Sequence, residues 1–342
     1  MYMPDSPQFS VISGDVIGRI LEEDPARTVE AVRQAYLAHG DRQSINPPSS
    51  FLRFPERPES RIIALPASLG GSFGVDGIKW ISSFPQNIAS GIPRASAVLI
   101  LNDQQTGYPF ACLESSIISA TRTAASAALA AAELHSNRTR PRSVTFFGTG
   151  LIARYIHTYL RDTGWEFATV HVHDHNDEYA QAFRNYLTGS GEQAEIVITG
   201  AEAAVRSSNL VVFATTAGEP HVTELDWLSH NPVVLHISLR DLSPEIILSS
   251  ANVVDDAEHC LKANTSPHLA HKLAGHAEFI NGTLSEIMSS KAEVPTDRPL
   301  IFSPFGLGVL DLAVGISVYR EARAQGLTTP IPGFFHDLNR YA

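Results

Sequence analysis

A short β-branched and aromatic run, Val144–Phe147, passes without a break into Gly148-Thr149-Gly150-Leu151-Ile152-Ala153, and helix-compatible sequence follows. Few folds accept a strand, a tight glycine turn and a helix start in direct succession. Gly148 permits the turn. Gly150 has no Cβ, so a ligand can approach the backbone, and Ala153 is small enough for the helix to pack on the strand. The N-terminus of that helix offers unpaired N–H groups and the positive end of a dipole to an anion. GxGxxA in this setting is a variant of the dinucleotide-binding fingerprint.

The sequence that follows supplies the rest of such a fold. Thr169–His173 is the next strand and ends at Asp174, close to the separation of roughly 20 residues expected for a ribose-binding carboxylate. A carboxylate there accepts from the ribose hydroxyls and repels a 2′-phosphate, which favours NAD over NADP. The plainer reading of Asp174 is a turn residue or a helix N-cap. Glu195–Ile198, Leu210–Phe213, Val233–Ile237 and Asn252–Val254 are further short apolar runs, with helix-compatible segments between most of them. Strands alternating with helices imply a mostly parallel, doubly wound sheet of the Rossmann type. In such sheets ligands sit at the carboxyl ends of the strands. Leu210–Phe213 runs into Thr215 and Thr216, and Val233–Ile237 runs into Ser238. The candidate cofactor residues are therefore Gly148, Thr149, Gly150, Leu151, Ile152, Asp174, Thr215, Thr216 and Ser238.

The first part of the chain reads differently. Residues 16–39 have helical periodicity that Pro25 must interrupt. Residues 41–60 are rich in proline and polar side chains and read as a loop. Arg61–Leu65, Gly77–Ile81 and Ala97–Leu101 read as strands of a small antiparallel sheet. Residues 113–135 are alanine-rich and helical, Ser136 to Arg142 reads as a hinge, and Leu310–Arg323 is helical again and is expected to return to the first domain. The expectation is two α/β domains: a discontinuous substrate and dimerisation domain of residues 1–130 and 315–342, and a Rossmann domain of residues 131–314. Pairing of the first domain's sheet with a second copy would hide its exposed edges, so a homodimer is expected.

With 342 residues, 44% of them hydrophobic, the chain can build two separate cores. Its net charge of −11 opposes binding to nucleic acid. Cys112 and Cys260 form no CxxC pair, which fits a reducing compartment without disulfides or thiolate metal sites. No apolar run is long enough to span a bilayer, and residues 1–10 lack the basic and apolar regions of a signal peptide. The cytoplasm is the expected location. His171, His173 and His175 alternate along one strand, but no carboxylate or thiolate completes a ligand set, and no metal is expected.

Beyond the glycine loop, several motifs occur in a telling order. They are Gly77-Ile78-Lys79-Trp80, Thr106-Gly107-Tyr108-Pro109 and Thr121-Arg122-Thr123-Ala124-Ala125, then GxGxxA. In order and spacing, over nearly the whole chain, this resembles the ornithine cyclodeaminase/μ-crystallin family. Lys79-Trp80-Ile81-Ser82-Ser83-Phe84-Pro85, Pro93-Arg94-Ala95-Ser96-Ala97, Ser238-Leu239-Arg240-Asp241-Leu242-Ser243-Pro244-Glu245 and Ser303-Pro304-Phe305-Gly306-Leu307-Gly308 resemble one branch of it. That branch makes L-2,3-diaminopropionate for siderophores and peptide antibiotics. The resemblance implies oxidative cleavage of N-[(2S)-2-amino-2-carboxyethyl]-L-glutamate to 2-oxoglutarate and L-2,3-diaminopropionate, with NAD as acceptor.

The resemblance also implies roles. Residues matching Arg53, Lys79 and Arg122 hold the substrate carboxylate in cyclodeaminases, and a residue matching Asp241 is the catalytic acid. Arg94 stands where ornithine cyclodeaminases carry a small hydroxyl residue, and Leu239-Arg240 replace glycines. Both departures argue against ornithine cyclisation. A substrate with three carboxylates needs cations, and Arg53, Lys79, Arg94, Arg122 and Arg240 are the substrate-binding candidates. Asp241 and Lys79 are the catalytic candidates, for proton exchange and for polarising water or holding the carboxylate. Plainer readings stand beside these. Lys79 can snorkel from an apolar strand, Arg53 and Arg94 can be solvated charges, and Asp241 can cap a helix starting at Ser243-Pro244. Two other functions stay open: a cyclodeaminase, ketimine reductase or amino-acid dehydrogenase with a smaller substrate, or a non-catalytic dinucleotide-dependent binding protein like μ-crystallin.

Overall fold

The computed structural model describes residues 7–336. Residues 1–6 and 337–342, which the expected domain ranges included, lie outside them. The chain forms two compact units, Met1–Arg122 with Leu307–Ala342, and Thr123–Gly306. Against the expected boundaries of 130 and 314, the units divide within the same helix as residue 130, Ser116–Leu134, and just ahead of the helix Gly308–Ala324.

The first unit opens with β1 (Ser10–Ile12), α1 (Gly14–Glu23) and α2 (Pro25–Gly40). The helical stretch anticipated over 16–39 is thus two helices. Pro25 takes the first-turn position of α2, where its missing N–H has no partner to lose, and Asp24 caps that turn by accepting from Arg27 N. Then come β2 (Ser44–Ile45), β3 (Ser50–Phe54), β4 (Arg57–Leu69), β5 (Val75–Ser83), β6 (Ala95–Asp103) and β7 (Pro109–Glu114). The expected loop over 41–60 is therefore wrong: it holds β2, β3 and the start of β4. Proline misled the reading. Pro58 sits inside β4, next to the point where its register with β3 is irregular.

The alanine-rich helix α3 (Ser116–Leu134) starts later than expected, because Leu113 and Glu114 end β7. In the second unit follow β8 (Ser143–Phe147), α4 (Leu151–Asp162), β9 (Thr169–His173), α5 (Asp177–Gly189), β10 (Glu195–Ile198), α6 (Ala201–Arg206) and β11 (Leu210–Phe213). The unit continues with β12 (Val233–His236), α7 (Pro244–Ser249), β13 (Ala251–Val254), α8 (Ala257–Cys260) and α9 (Ser266–Ala274). It ends with β14 (Ile280–Thr283), α10 (Leu284–Met288) and β15 (Leu300–Ser303). The last elements, α11 (Gly308–Ala324) and β16 (Thr329–Pro330), belong to the first unit again.

The first sheet runs β16-β1-β7-β6-β5-β4-β2, with β3 also on β4, and its long central strands are antiparallel. Its register places Leu65, Lys79, Leu99 and Leu113 in one cross-strand row. That face packs on α11, where Gly315 lets Leu99 come close: a Cβ on Gly315 would lie 2.2 Å from Leu99 Cδ2. The second sheet is wholly parallel, in the order β10-β9-β8-β11-β12-β15-β13-β14. Its strand order reverses between β8 and β11, the switch point at which doubly wound sheets take ligands. β11, β12, β13 and β15 are buried along their whole length, as strands covered on both faces must be. Among the described residues no helix is long and apolar enough to cross a membrane.

Candidate functional site

In the second unit, β8 ends at Phe147 and Gly148 turns the chain with φ +78°. A Cβ on Gly148 would lie 2.6 Å from Ala214 O, so both the conformation and the space demand glycine. At Gly150 the situation is opposite: no atom lies within 4 Å of where a Cβ would be. Gly150 is also the N-cap of α4 and makes no side-chain cap bond, and Leu151, the next residue, is half exposed. An open cradle over a helix N-terminus fits a pyrophosphate. Ala153 is fully buried against the strand, as the fingerprint requires.

Asp174 ties the end of β9 to this loop. Its Oδ2 accepts from Thr149 N at 3.0 Å and from Thr149 Oγ1 at 2.7 Å, while Oδ1 accepts from Asn176 N at 3.1 Å. His175 Nδ1 lies 3.1 Å from the same Oδ1. The helix after β9 is capped by Asn176, not by Asp174. Asp174 is therefore a turn residue that also fastens the glycine loop.

The ends of β11 and β12 meet through Asp241, whose carboxylate is fully buried. Thr215 Oγ1 donates to its Oδ1 and Ser238 Oγ to its Oδ2. His221 Nε2 lies 3.0 Å from Oδ1. His236 Nε2 lies 3.2 Å from Oδ2 and 3.1 Å from the Asp241 amide nitrogen. Burial pushes this carboxyl's pKa up, but the hydrogen bonds from His221, His236 and Ser238 outweigh it and hold the group well below the usual carboxylate range. The network extends to β15, because His236 Nδ1 is 3.1 Å from Ser303 Oγ. The helix that Asp241 was also suited to cap is capped by Ser243, with Pro244 in its first turn. Thr216 follows Thr215 in the same loop, whose turn is closed by Ala217 N donating to Thr215 Oγ1 at 3.1 Å. Arg240 also belongs to this unit, and its Nη2 donates to Ala263 O at 2.7 Å. Leu239 beside it holds φ +79°, a conformation natural to glycine.

In the first unit, Lys79 does not snorkel. Its Nζ donates to Asp311 Oδ2 at 2.7 Å and to Ser119 Oγ at 3.2 Å. Arg122 Nε donates to the other oxygen, Asp311 Oδ1, at 3.3 Å. Burial pulls the Lys79 pKa down to about 8, against the pull of Asp311 and with the help of Arg122. β5, α3 and α11 thus place two cations on one carboxylate. A second group lies further along the same sheet. Arg53, Arg61 and Ser83 stand opposite one another across β3, β4 and β5, and Arg94 Nη1 donates to Ser83 Oγ at 2.8 Å. Ser83 is four residues from Lys79 on one strand, hence on the same face and about 13 Å away. Arg53 packs its guanidinium over Phe51 at 5.0 Å.

Asp311, Arg61, His221 and His236 were not among the sequence candidates. Asp311 had a signal, since it is the one acid in the apolar stretch from Leu307 to Val318. His221 had none, because only the pairing of β11 with β12 brings it to Asp241, whereas His236 lies five residues before Asp241 at the end of the strand that Asp241 follows. Among the described residues no group of His, Cys, Asp and Glu could hold a metal ion.

A Rossmann unit with an open glycine cradle at the switch point of its sheet defines a dinucleotide-binding protein. The chain belongs to the ornithine cyclodeaminase/mu-crystallin family, whose profile matches residues 16–326. It is 28% identical over 316 residues to N-((2S)-2-amino-2-carboxyethyl)-L-glutamate dehydrogenase of Staphylococcus aureus, covering 89% of this chain and 92% of that one. Its fold matches Thermococcus litoralis Delta(1)-pyrroline-2-carboxylate reductase in complex with NADH and L-proline, with a TM-score of 0.86 at 23% identity over 94% of this chain and 100% of that one. An archaeal alanine dehydrogenase dimer with bound NAD matches with a TM-score of 0.83 at 24% identity, over 96% of this chain and 100% of that one.

Proposed function

We propose that this protein is an NAD-dependent amino-acid dehydrogenase that cleaves N-[(2S)-2-amino-2-carboxyethyl]-L-glutamate to 2-oxoglutarate and L-2,3-diaminopropionate. The observation that carries the reading is the row of cations on one face of the first sheet. Lys79 and Arg122 share Asp311 and are left with one net positive charge, enough for one carboxylate. Arg53 and Arg94 supply more, and the proposed substrate has two further carboxylates. The relative from Staphylococcus aureus, named for this substrate, supports the same reading.

The chemistry that bound NAD would supply is that of a hydride acceptor for the glutamyl Cα–H. Gly148, Thr149, Gly150, Leu151 and Ile152 would hold its pyrophosphate at the start of α4. Asp174 would meet the adenosine ribose and disfavour a 2′-phosphate. Thr215, Thr216 and Ser238, at the strand ends beyond the switch point, would line the nicotinamide half. Arg53, Lys79, Arg94 and Arg122 bind and orient the carboxylates, which is most of the catalytic task when the acceptor is a cofactor. Arg240 keeps a substrate role only if it can release Ala263 O.

A single-carboxylate amino or imino acid is the second reading. It is favoured by the Lys79–Asp311–Arg122 group keeping only one net positive charge and by Arg94 being already engaged at Ser83. The product would then differ, while NAD and the Rossmann residues keep their roles. A siderophore or peptide-antibiotic pathway in the cytoplasm is the setting that the first reading implies. The protein acts as a homodimer in this account. The outward face of the first sheet carries Leu52, Trp80 and Val98, each two-fifths exposed or more, and a second copy would cover them.

Mass spectrometry of a reaction with NAD and the glutamate adduct tests the proposal. Formation of both 2-oxoglutarate and L-2,3-diaminopropionate supports it, and their absence with active, NAD-binding protein overturns it.

A further inference from the structure

We propose that His221, oriented by Asp241, is the group that exchanges protons with the reacting water and amine; this rests on the oxidative-cleavage reading. Asp241 itself is poorly suited. It is fully buried, already bonded to Thr215, His221 and Ser238 with His236 3.2 Å away, and held ionised far below neutrality, where a carboxylate is too weak a base to take a proton from water. An ionised carboxylate is, however, what an imidazole needs beside it in order to accept a proton and stay charged.

The geometry fits that division of labour. Because Asp241 Oδ1 can only accept, the His221 nitrogen 3.0 Å from it must carry the hydrogen. His221 is then the Nε2–H tautomer, and its Nδ1 is left with a free lone pair. The side chain is 40% exposed, unlike His236 on the other carboxylate oxygen, which is fully buried. The location is equally specific. The ring centroid lies 6.5 Å from that of Phe147 and 6.3 Å from that of Phe213, the last residues of β8 and β11. Phe147 immediately precedes Gly148, and the His221 amide is fixed by donating to Asp241 O at 3.0 Å. An imidazole with a bare nitrogen thus stands at the switch point, beside the glycine loop.

The step balances as follows. Oxidation of the glutamyl Cα by NAD leaves a positively charged C=N bond. Water adds to that carbon, His221 Nδ1 takes one water proton, and the π pair moves to nitrogen. The ring returns the proton to that nitrogen. The C–N bond then breaks as the hydroxyl oxygen forms C=O and its proton passes to the ring and on to solvent. The products are 2-oxoglutarate and L-2,3-diaminopropionate.

Two measurements on the intact protein test this. The first is the ¹⁵N NMR of labelled histidine in the free enzyme, which reports the tautomer whatever the substrate proves to be. Protonation at Nε2 is expected for His221, and Nδ1–H would overturn the proposal. The second compares His221→Ala and His221→Gln with wild type on the glutamate adduct. Turnover should fall about a hundredfold or more, NAD affinity should hold, and added imidazole should restore part of the rate in His221→Ala but not in His221→Gln. Wild-type turnover of the adduct with unchanged rates in both variants would overturn the role of His221. A wild type that ignores the adduct would instead overturn the substrate reading, leaving the tautomer to decide on the dyad.

Discussion

Lys79 Nζ donates to Asp311 Oδ2 at 2.7 Å, and the two side chains are 2% and 0% exposed. A strand of the first sheet and the helix that ends the same unit are joined there by a buried charge pair. Breaking one partner leaves the other charge without compensation in a place that water does not reach. Asp311→Asn should therefore lower the unfolding free energy by about 3–5 kcal/mol. Urea denaturation measures it, and a loss under about 1 kcal/mol would show that the pair is not what holds Lys79 in place.

The same pair predicts a pH dependence. Burial holds the Lys79 pKa at about 8, below its ordinary 10.5. Between those values the unfolded chain binds more protons than the folded one, so the Lys79 contribution makes stability rise with pH across the window. The rise is about 3 kcal/mol, as an order of magnitude. Lys79→Met should lose that slope between pH 8 and pH 10.5 relative to wild type, as read from urea midpoints. Equal slopes would contradict the burial argument. Substrate affinity has the opposite trend, since Lys79 loses its charge above pH 8 and carboxylate binding should weaken there.

Gly148 and Gly150 should separate folding from binding. Gly148→Ala forces a Cβ to 2.6 Å from Ala214 O at φ +78° and should destabilise the second unit by about 1–3 kcal/mol. Gly150→Val meets open space at an extended backbone conformation, so thermal stability should stay near wild type. Dinucleotide affinity should nonetheless fall at least about tenfold, because the new side chain fills the cradle. Calorimetric titration with NAD checks both. Unchanged affinity in Gly150→Val would remove that loop from the cofactor site.

These glycines were legible in the sequence because a local rule requires them: a strand, a turn with positive φ and a helix start must be neighbours in the chain. The parallel strands β8 to β13 were legible for a similar reason, as β-branched runs between helix-compatible segments. What escaped was non-local. β14 and β15 are short, and β15 takes a central place in the sheet only because the chain crosses back between β12 and β13. Residues 41–60 read as a loop because Pro58 and nearby polar residues obscured the alternation of β3 and β4. Asp241 was found as a charged residue after a strand, but Thr215 and His221 reach it from the end of another strand, β11. The sequence therefore could not show that its carboxylate is enclosed by His221, His236, Thr215 and Ser238.

Asp174 should set cofactor choice and also stiffen the loop. Asp174→Ser removes the charge that opposes a 2′-phosphate and the acceptor that Thr149 uses twice. The preference for NAD over NADP should narrow by about tenfold, roughly the effect of 1.4 kcal/mol, with NAD itself bound more weakly. Dissociation constants for both dinucleotides measure this. An unchanged ratio would leave Asp174 with its turn role alone.

The central claim is that the cation row serves a substrate with three carboxylates. It is tested most directly by the absorbance of NADH when the protein and NAD meet N-(2-amino-2-carboxyethyl)-L-glutamate, L-alanine or L-ornithine in parallel reactions. The account predicts NADH growth with the glutamate adduct far above the other two, and its loss in Arg94→Ala. NADH from L-alanine alone, or proline from L-ornithine with none from the adduct, would contradict it.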